Sequence, residues 1–439
     1  MQVLFLHRNF PAQFRHLARV LGQNPDNQVV FATNQKVGKI AGVHKIVYGP
    51  SRVPFEKTHY YVRPLEAAVL EGQAVYRQMR QLKEQQGFYP DVIYAHSGWG
   101  PGLFMKDLFP KAQYLGFFEW FYRAHGSDVD FDPASPPDAE IEAKLRIRNA
   151  ALLIDLSSCD RGLCPTHWQR QQIPPEFHSK LFVCHDGIDT DFFKPSKTIE
   201  AKAKAKAKAK AKAKQVIKPP EPIACAARLD LSEMKEVVTY VARGMEPYRG
   251  FPQFMEAISQ LQKHRPNCHT VVVGKDWVAY GNPLPNGKTY RQQALETLDL
   301  DLSRIHFTGH LNYEQYLKVL QVSSVHVYLT WPFVLSWSML EAMSTGCLVL
   351  GSKTAPVEEV IQDGENGLLI DFFDIDGIVA QIIEVLDHPN RMQAVRDRAR
   401  QTIVDRYNLA DLLPVHLNWM KGETGSLEIK VDNEQKRSD

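Results

Sequence analysis

The chain has 439 residues, 44% of them hydrophobic and 23% charged, which suits an ordinary soluble protein of two or three domains. Its formal net charge is +2, but an Ala-Lys tract at 201–214 supplies seven lysines, so the rest of the chain is net negative. This distribution argues against nucleic-acid binding, which needs a basic folded surface. No apolar run approaches the roughly 20 residues of a membrane span, and no secretory signal precedes the first strand-like run. A cytoplasmic protein is expected.

The first half alternates short β-rich runs with helix-like stretches, which predicts βαβ units around a parallel sheet. The predicted strands are residues 3–6, 29–32, 45–47, 92–95 and 114–118. The predicted helices between and after them are residues 13–21, 66–85 and 139–156. One doubly wound domain over residues 1–195 follows from this pattern.

Residues 196–222 interrupt the rhythm with the Ala-Lys repeats and a proline cluster, and we interpret them as a solvated linker or insertion. A second doubly wound domain is predicted over 223–405. Its predicted strands are 237–242, 269–273, 305–307, 325–329, 348–351 and 368–370. A last helix at 406–420 and a polar tail at 421–439 complete the chain. Two such domains predict a cleft at the carboxyl ends of two sheets, where open α/β folds bind ligands.

Two arginines in the second domain are the sharpest chemical signal. Arg243 and Arg249 lie between a predicted strand and a predicted helix. Because the guanidinium fork suits phosphate, the pair is a candidate clamp for a diphosphate.

A predicted helix start lies further along, after the strand at 325–329. Backbone N–H groups at Ser336, Trp337 and Ser338 are a candidate anion site, and Glu341 one turn later is a candidate acceptor for ribose hydroxyls.

These residues and several others resemble the family-4 retaining glycosyltransferases of the GT-B fold, in a bacterial subgroup. The matching segments are residues 9–17, 91–100, 126–133, 165–169, 185–195, 243–254, 340–346 and 363–369. The resemblance covers nearly the whole chain.

The resemblance implies two facing Rossmann-like domains and transfer of a sugar from a nucleotide-diphosphate donor to a saccharide or lipid-linked acceptor. Arg243 and Arg249 would bind the diphosphate, and Glu341 the ribose. The segment of Gly309, His310 and Leu311 would meet the base. Neither a cofactor nor a metal is expected, and peripheral contact with the inner membrane face is a further expectation.

Departures from the family pattern concern the sugar and the acceptor. Phe333 stands where the family has a glutamate eight residues before Glu341, and residues 9–12 replace a Gly-Gly loop. Arg249 stands where the family usually has lysine, which preserves the positive charge.

Residues at or just after predicted strand ends of the first domain are candidates for the acceptor side. They are Asn9, Phe10, Arg15, His96, Glu119 and Tyr122, with His96 also a candidate contact to the transferred sugar. Aspartates at 128, 130 and 132 resemble an Asp-x-Asp metal signature, but the neighbouring glycine, serine and proline favour a loop.

Two other functions remain open at this stage. A nucleotide-sugar epimerase would need the same diphosphate site, and a catalytically inactive saccharide or nucleotide-sugar binding protein would explain Phe333. A dinucleotide oxidoreductase is less favoured, because no G-x-G-x-x-G follows an early strand.

Overall fold

The computed structural model describes residues 1–196 and 234–423, together with the backbone of Val216–Ile217 and Leu229–Asp230. Nearly all of the predicted linker, including its Ala-Lys tract, and most of the polar tail lie outside the described residues. The chain forms two compact units. The N-terminal unit comprises Met1–Gly187 and the residues from Ala410 onward, and the C-terminal unit comprises Ile188–Leu409.

The N-terminal unit is built on a seven-stranded parallel sheet of order β3-β2-β1-β4-β5-β6-β7. Its strands are β1 (Gln2–Leu6), β2 (Gln28–Thr33), β3 (Val43–Val47), β4 (Val92–His96), β5 (Gln113–Phe117), β6 (Arg161–Cys164) and β7 (Leu181–Val183). The central strands are almost continuously apolar and buried, as expected where helices cover both faces of a sheet. The strand order reverses between β1 and β4, and we call this place the N-terminal switch point.

The C-terminal unit repeats this plan with a six-stranded parallel sheet of order β12-β11-β10-β13-β14-β15. Two short antiparallel strands come first in the sequence, β8 (Val216–Ile217) and β9 (Leu229–Asp230). The sheet strands are β10 (Glu236–Gly244), β11 (Cys268–Lys275), β12 (Ile305–Gly309), β13 (Val325–Tyr328), β14 (Val349–Ser352) and β15 (Leu368–Ile370). The order reverses between β10 and β13, at the C-terminal switch point. The predicted pair of doubly wound α/β domains is confirmed.

Helices connect the strands in both units. They are Arg15–Gln23, Arg63–Gln86, Met105–Leu108, Ala139–Arg148, Ala150–Ser158, His167–Gln172, Phe251–His264, Tyr290–Thr297, Tyr313–Val322, Trp337–Ser344, Ala355–Glu358, Ile375–Asp387, Gln393–Arg406 and Leu409–Lys421. None of these described helices is both long and apolar enough to span a membrane.

The helix predicted at 139–156 was wrong in one respect, because the structure divides it at Asn149. The Asn149 side chain accepts a hydrogen bond from the Tyr122 N–H at 3.0 Å and donates one to the Tyr122 carbonyl oxygen at 2.8 Å. These bonds fix the buried amide between the two helices. The segment before Asn149 has no buried residue, whereas the segment after it supplies core side chains such as Leu152 and Leu156.

The last helix, Leu409–Lys421, belongs to the core of the N-terminal unit. Its Trp419 is 3% exposed, and the indole lies 5.7 Å from the Tyr94 ring and 6.2 Å from the Phe182 ring, measured between centroids. The Arg161 guanidinium covers the same indole at 5.1 Å. The end of the described chain therefore completes a core that its first strands begin.

We expect Trp419→Ala to lower the free energy of unfolding of the N-terminal unit by about 3 to 5 kcal/mol, because it leaves a large cavity. Urea denaturation followed by circular dichroism measures the loss. Lys421→Ala, an exposed change on the same helix, is the control and should shift the free energy by no more than about 0.5 kcal/mol. An unchanged transition in Trp419→Ala would show that this helix is not part of the core.

Candidate functional site

The two arginines of the predicted diphosphate clamp both lie at the C-terminal switch point. Arg243 is the penultimate residue of β10 and its side chain is exposed. Arg249 lies on a short 3-10 turn, Pro247–Arg249, that immediately precedes the helix Phe251–His264. Gly250 joins turn and helix at φ 63°, where a Cβ would lie 2.4 Å from the Leu329 side chain. Glycine is therefore required to bring Arg249 back over the sheet edge.

Arg249 is only 5% exposed, which the sequence did not indicate. Its Nη1 donates to the hydroxyl of Thr330 at 2.7 Å and to that of Tyr328 at 3.3 Å. Burial raises the pKa of Tyr328, so this partner stays a neutral hydroxyl. The guanidinium thus links the segment after β10 to the end of β13, across the switch point where ligands of open α/β sheets bind.

Tyr240 fixes the backbone of the same arginine. Its hydroxyl donates to the Arg249 carbonyl oxygen at 2.8 Å, and its ring stacks on Phe254 with centroids 4.7 Å apart. The backbone and the guanidinium of Arg249 are both held, so the guanidinium N–H groups have little freedom of direction. Such preorganisation is what an anion-binding cation needs.

The predicted helix start is confirmed at Ser336, which caps the helix Trp337–Ser344. The Ser336 hydroxyl accepts from the Ser338 N–H at 3.3 Å, and the Ser336 N–H donates to the Tyr328 hydroxyl at 2.8 Å. Tyr328 therefore contacts both Arg249 and the cap. Arginine and helix start belong to one hydrogen-bonded group.

Glu341 lies one turn into this helix and is 7% exposed. It sits beside Tyr316, whose pKa is raised well above its usual value by burial and, secondarily, by the charge of Glu341. The segment of Gly309, His310 and Leu311 lies at the carboxyl end of β12, two strands from β10 in the sheet. The Leu311 side chain is buried in the core, so this residue can contact a ligand only through its backbone atoms.

Phe333 is 7% exposed and belongs to an aromatic cluster beside Arg249. Its ring meets those of Tyr248 and Tyr280 edge to face, at 5.4 and 5.2 Å between centroids. Trp331 stacks on Tyr248 at 4.4 Å between centroids. The position that holds a glutamate in the family pattern thus carries an aromatic side chain with aromatic neighbours.

The N-terminal switch point holds His96 and Glu119 together. His96 ends β4 at 3% exposure, and its Nε2 lies 3.4 Å from Glu119 Oε2. His7, which follows β1, lies alongside with ring centroids 4.4 Å apart. Its Nε2 lies 2.9 Å from Gln13 Oε1, and Gln13 donates to Glu119 Oε1 at 3.0 Å. The structure thus adds His7 and Gln13, which the sequence reasoning missed.

The remaining acceptor-side candidates have separate contacts. The Asn9 N–H donates to His7 Nδ1 at 2.8 Å, which joins Asn9 to the histidine pair. Phe10 packs on Phe31 and lies under the Lys45 ammonium. Arg15 begins the helix Arg15–Gln23, and Tyr122 lies under the Arg148 guanidinium at 4.2 Å. Among these candidates, Asn9 and Glu119 are linked to the pair of His7 and His96 by the contacts given above.

The three aspartates at 128–132 make local contacts typical of a loop. Asp128 accepts from the Ser127 hydroxyl, Asp130 from the Gly126 N–H, and Asp132 from the Ala134 N–H. Within the described ranges, no group of three His, Cys, Asp or Glu side chains is arranged to hold a metal ion.

Comparison with known proteins agrees with this architecture. Residues 25–193 match the family described as Glycosyl transferase family 4 group, and residues 226–402 match Glycosyl transferases group 1. A curated protein, an uncharacterized glycosyltransferase of Methanocaldococcus jannaschii, is 27% identical over 162 residues. That match covers 37% of this chain and 39% of the relative, so the chain spans well under half of the relative's length.

Two solved structures resemble the entire chain in fold. Sucrose-phosphate synthase from Thermosynechococcus elongatus has a TM-score of 0.66 and 15% identity, covering 97% of this chain and 99% of that one. Anabaena HepE in complex with UDP-glucose has a TM-score of 0.65 and 12% identity, covering 96% and 100%. These likenesses confirm a GT-B fold. The chain thus contains two regions of glycosyltransferase type, a family 4 type region at residues 25–193 and a group 1 type region at residues 226–402.

The different burial of the two arginines predicts different effects on stability. Arg249→Ala removes one hydrogen-bond donor from each of the buried hydroxyls of Tyr328 and Thr330, at a cost of about 1 to 3 kcal/mol in the free energy of unfolding. Arg243→Ala, at an exposed position, should change it by no more than about 0.5 kcal/mol. Urea unfolding of both variants measures the difference, and equal values would contradict the buried position of Arg249.

Proposed function

We propose that the protein transfers a sugar from a nucleotide-diphosphate donor to a saccharide or lipid-linked acceptor, with retention of the anomeric configuration. The observation that carries the proposal is the buried Arg249, which is fixed across the C-terminal switch point. The exposed Arg243 precedes it at the end of β10. The donor complex of HepE with UDP-glucose, which has the same fold, supports a nucleotide-sugar as the donor class.

The arginines act on the leaving group. As the bond between the anomeric carbon and the phosphate oxygen breaks, negative charge grows on the diphosphate, and guanidiniums already aimed at it stabilise the transition state. The acceptor oxygen forms the new bond to the anomeric carbon from the same face. Its proton passes to the departing phosphate oxygen, so that no covalent enzyme intermediate is needed.

The other donor contacts come from the helix start and from Glu341. The N–H groups of Ser336 and Ser338 already donate within the protein, to the Tyr328 and Ser336 hydroxyls, so the helix start acts on the phosphate through the positive end of its dipole. Glu341 accepts from ribose hydroxyls. Phe333 offers the sugar an apolar ring, so the sugar hydroxyls are bound by other groups. On the acceptor side, His96 is the proposed contact to the sugar, with Glu119 Oε2 3.4 Å from its Nε2.

The reaction as proposed uses no metal ion, because arginines and a helix start supply the positive field that a cation supplies elsewhere. It takes place in the cytoplasm, with a lipid-linked acceptor presented at the membrane surface.

The experiment that tests this function screens UDP-, GDP-, ADP-, CDP- and TDP-sugars with saccharide and glycolipid acceptors. We expect one donor to be consumed with formation of a glycoside, whose NMR coupling constant reports the donor's own configuration. Turnover should be unchanged by EDTA. An inverted product, or activity rescued from EDTA by manganese, would contradict the retaining or metal-independent part. Epimer formed from the donor alone, or binding without turnover, would favour the other two functions.

Arg243→Ala gives the cleanest test of the leaving-group role, because its side chain is exposed and the fold should not change. We expect its turnover to fall by a factor of about 100 to 1,000, the loss reported for one preorganised donor. Arg243→Lys, which keeps the charge and loses the fork, should lie between that variant and the parent. Steady-state release of the nucleoside diphosphate measures the rates, and turnover within twofold of the parent would remove Arg243 from the mechanism.

A further inference from the structure

Glu246 lies between the two arginines in the sequence and is fully buried, with 0% exposure. Its Oε1 accepts from the N–H of Ala279 at 3.0 Å, and its Oε2 from those of Tyr280 and Gly281 at 2.9 and 2.7 Å. A buried carboxylate is unfavourable unless hydrogen bonds compensate it. Here three successive backbone N–H groups do so, and the carboxylate in turn fixes the loop that carries them.

This loop, residues 276–281, follows β11 and places one aromatic ring beside each arginine. The Trp277 indole lies 5.6 Å from the Arg243 guanidinium, and its Nε1–H donates to the Arg243 carbonyl oxygen at 2.8 Å. The Tyr280 ring lies 5.2 Å from the Arg249 guanidinium. A ring over a guanidinium attracts it and limits its motion without removing its charge or its N–H groups.

Small residues allow the loop to approach so closely. A Cβ on Gly244 would lie 2.7 Å from the Trp277 carbonyl oxygen, and a Cβ on Gly281 would lie 3.3 Å from the Tyr248 ring. Any side chain at Gly244 would therefore push the loop backbone away from Arg243. Glycine here keeps the loop within reach of the arginines, and Glu246 holds it there.

Trp277 and Tyr280 remain 43% and 39% exposed although their backbone is anchored. Partly exposed aromatic rings on an anchored backbone are well suited to contact a ligand that the arginines bind.

We infer that Glu246 is a positioning residue of the donor site: through Trp277 and Tyr280 it orients Arg243 and Arg249 for the donor's diphosphate. This inference rests on the proposed function and adds to it the loop 276–281. The loop lies far from both arginines in the sequence, and it reaches them through the neighbouring strand β11.

The test compares Glu246→Gln with a matched control in the same unit. Glutamine keeps one acceptor oxygen and turns an NH₂ group towards backbone donors, which should release the loop. Asn366→Ala is the control, because Asn366 is also buried at 6% exposure and also holds a turn, bonding to Val360 and Gln362. Both variants should melt at lower temperature than the parent.

Calorimetric titration with pyrophosphate and with ADP, CDP, GDP, TDP and UDP separates positioning from stability. We expect Glu246→Gln to bind at least about tenfold more weakly than the parent, and Asn366→Ala to bind like the parent. Tyr280→Leu keeps the backbone N–H that bonds to Glu246 and should also bind these ligands more weakly. This variant provides the test if Glu246→Gln does not fold. No binding by the parent would overturn the proposed function together with this inference. Parent-like binding by the folded Glu246 and Tyr280 variants, or equal weakening in Asn366→Ala, would overturn this inference alone.

Tryptophan fluorescence gives an independent reading of the same titration. Diphosphate bound to Arg243 changes the charge beside the Trp277 indole, so the parent's emission should respond and that of Trp277→Phe should respond less. Trp99 is a matched control, since it is 44% exposed and lies 5.3 Å from the Arg8 guanidinium in the N-terminal unit. The response should survive in Trp99→Phe. A response that persists unchanged in Trp277→Phe would contradict the placement of the loop at the diphosphate.

Discussion

The site in the C-terminal unit depends on how the buried charge of Arg249 is satisfied. Its hydrogen-bond partners Tyr328 and Thr330 are hydroxyls, which accept from the guanidinium without neutralising it. Glu246, only three residues earlier, is satisfied by backbone N–H groups of another loop. Each charged group therefore has neutral dipoles as its hydrogen-bond partners, while the Glu246 carboxylate also acts on the Arg249 guanidinium through space. A positive charge held in this way stays available to an incoming phosphate, whereas one paired with a carboxylate would already be compensated.

The parallel sheets determine where such a group can form. Strands that run in one direction end at one edge, and the reversal of order leaves an opening between two neighbouring ends. In the C-terminal unit these ends belong to β10 and β13, which carry Arg243 and Tyr328. In the N-terminal unit they belong to β1 and β4, which place His7 and His96 side by side. Both units thus place candidate functional side chains at a switch point, although the residues at the two switch points differ.

Much of the fold could be predicted from the sequence because its buried strands are apolar runs, such as those at 3–6 and 237–242. Strands β6 and β7 were missed. Arg161 and Gly162 make up half of β6 and leave no apolar run there, and β7 is a single short run of three residues. That glycine is needed, because a Cβ there would lie 2.5 Å from the Leu181 side chain.

The arginine pair could be found because it lies in one short segment, whereas its partners come from distant ones. Thr330 and Tyr280 lie near Arg249 because the strands that precede them, β13 and β11, are the two neighbours of β10 in the sheet. Glu246 lies within the matching segment, but its role could not be predicted. It depends on three backbone N–H groups, and the identity of a residue does not show where its backbone N–H points.

The position of Trp419 has a consequence for how the protein folds during its synthesis on the ribosome. The C-terminal unit is continuous in sequence, but the N-terminal unit lacks its last core helix until the C-terminal unit has been synthesised. Tyr94 and Phe182 therefore leave the ribosome well before the indole that packs between them. Contacts so distant in sequence form slowly because loop closure precedes any gain from packing. The half made first is thus the half that finishes last, and its unfinished apolar surface is the one that chaperones would meet.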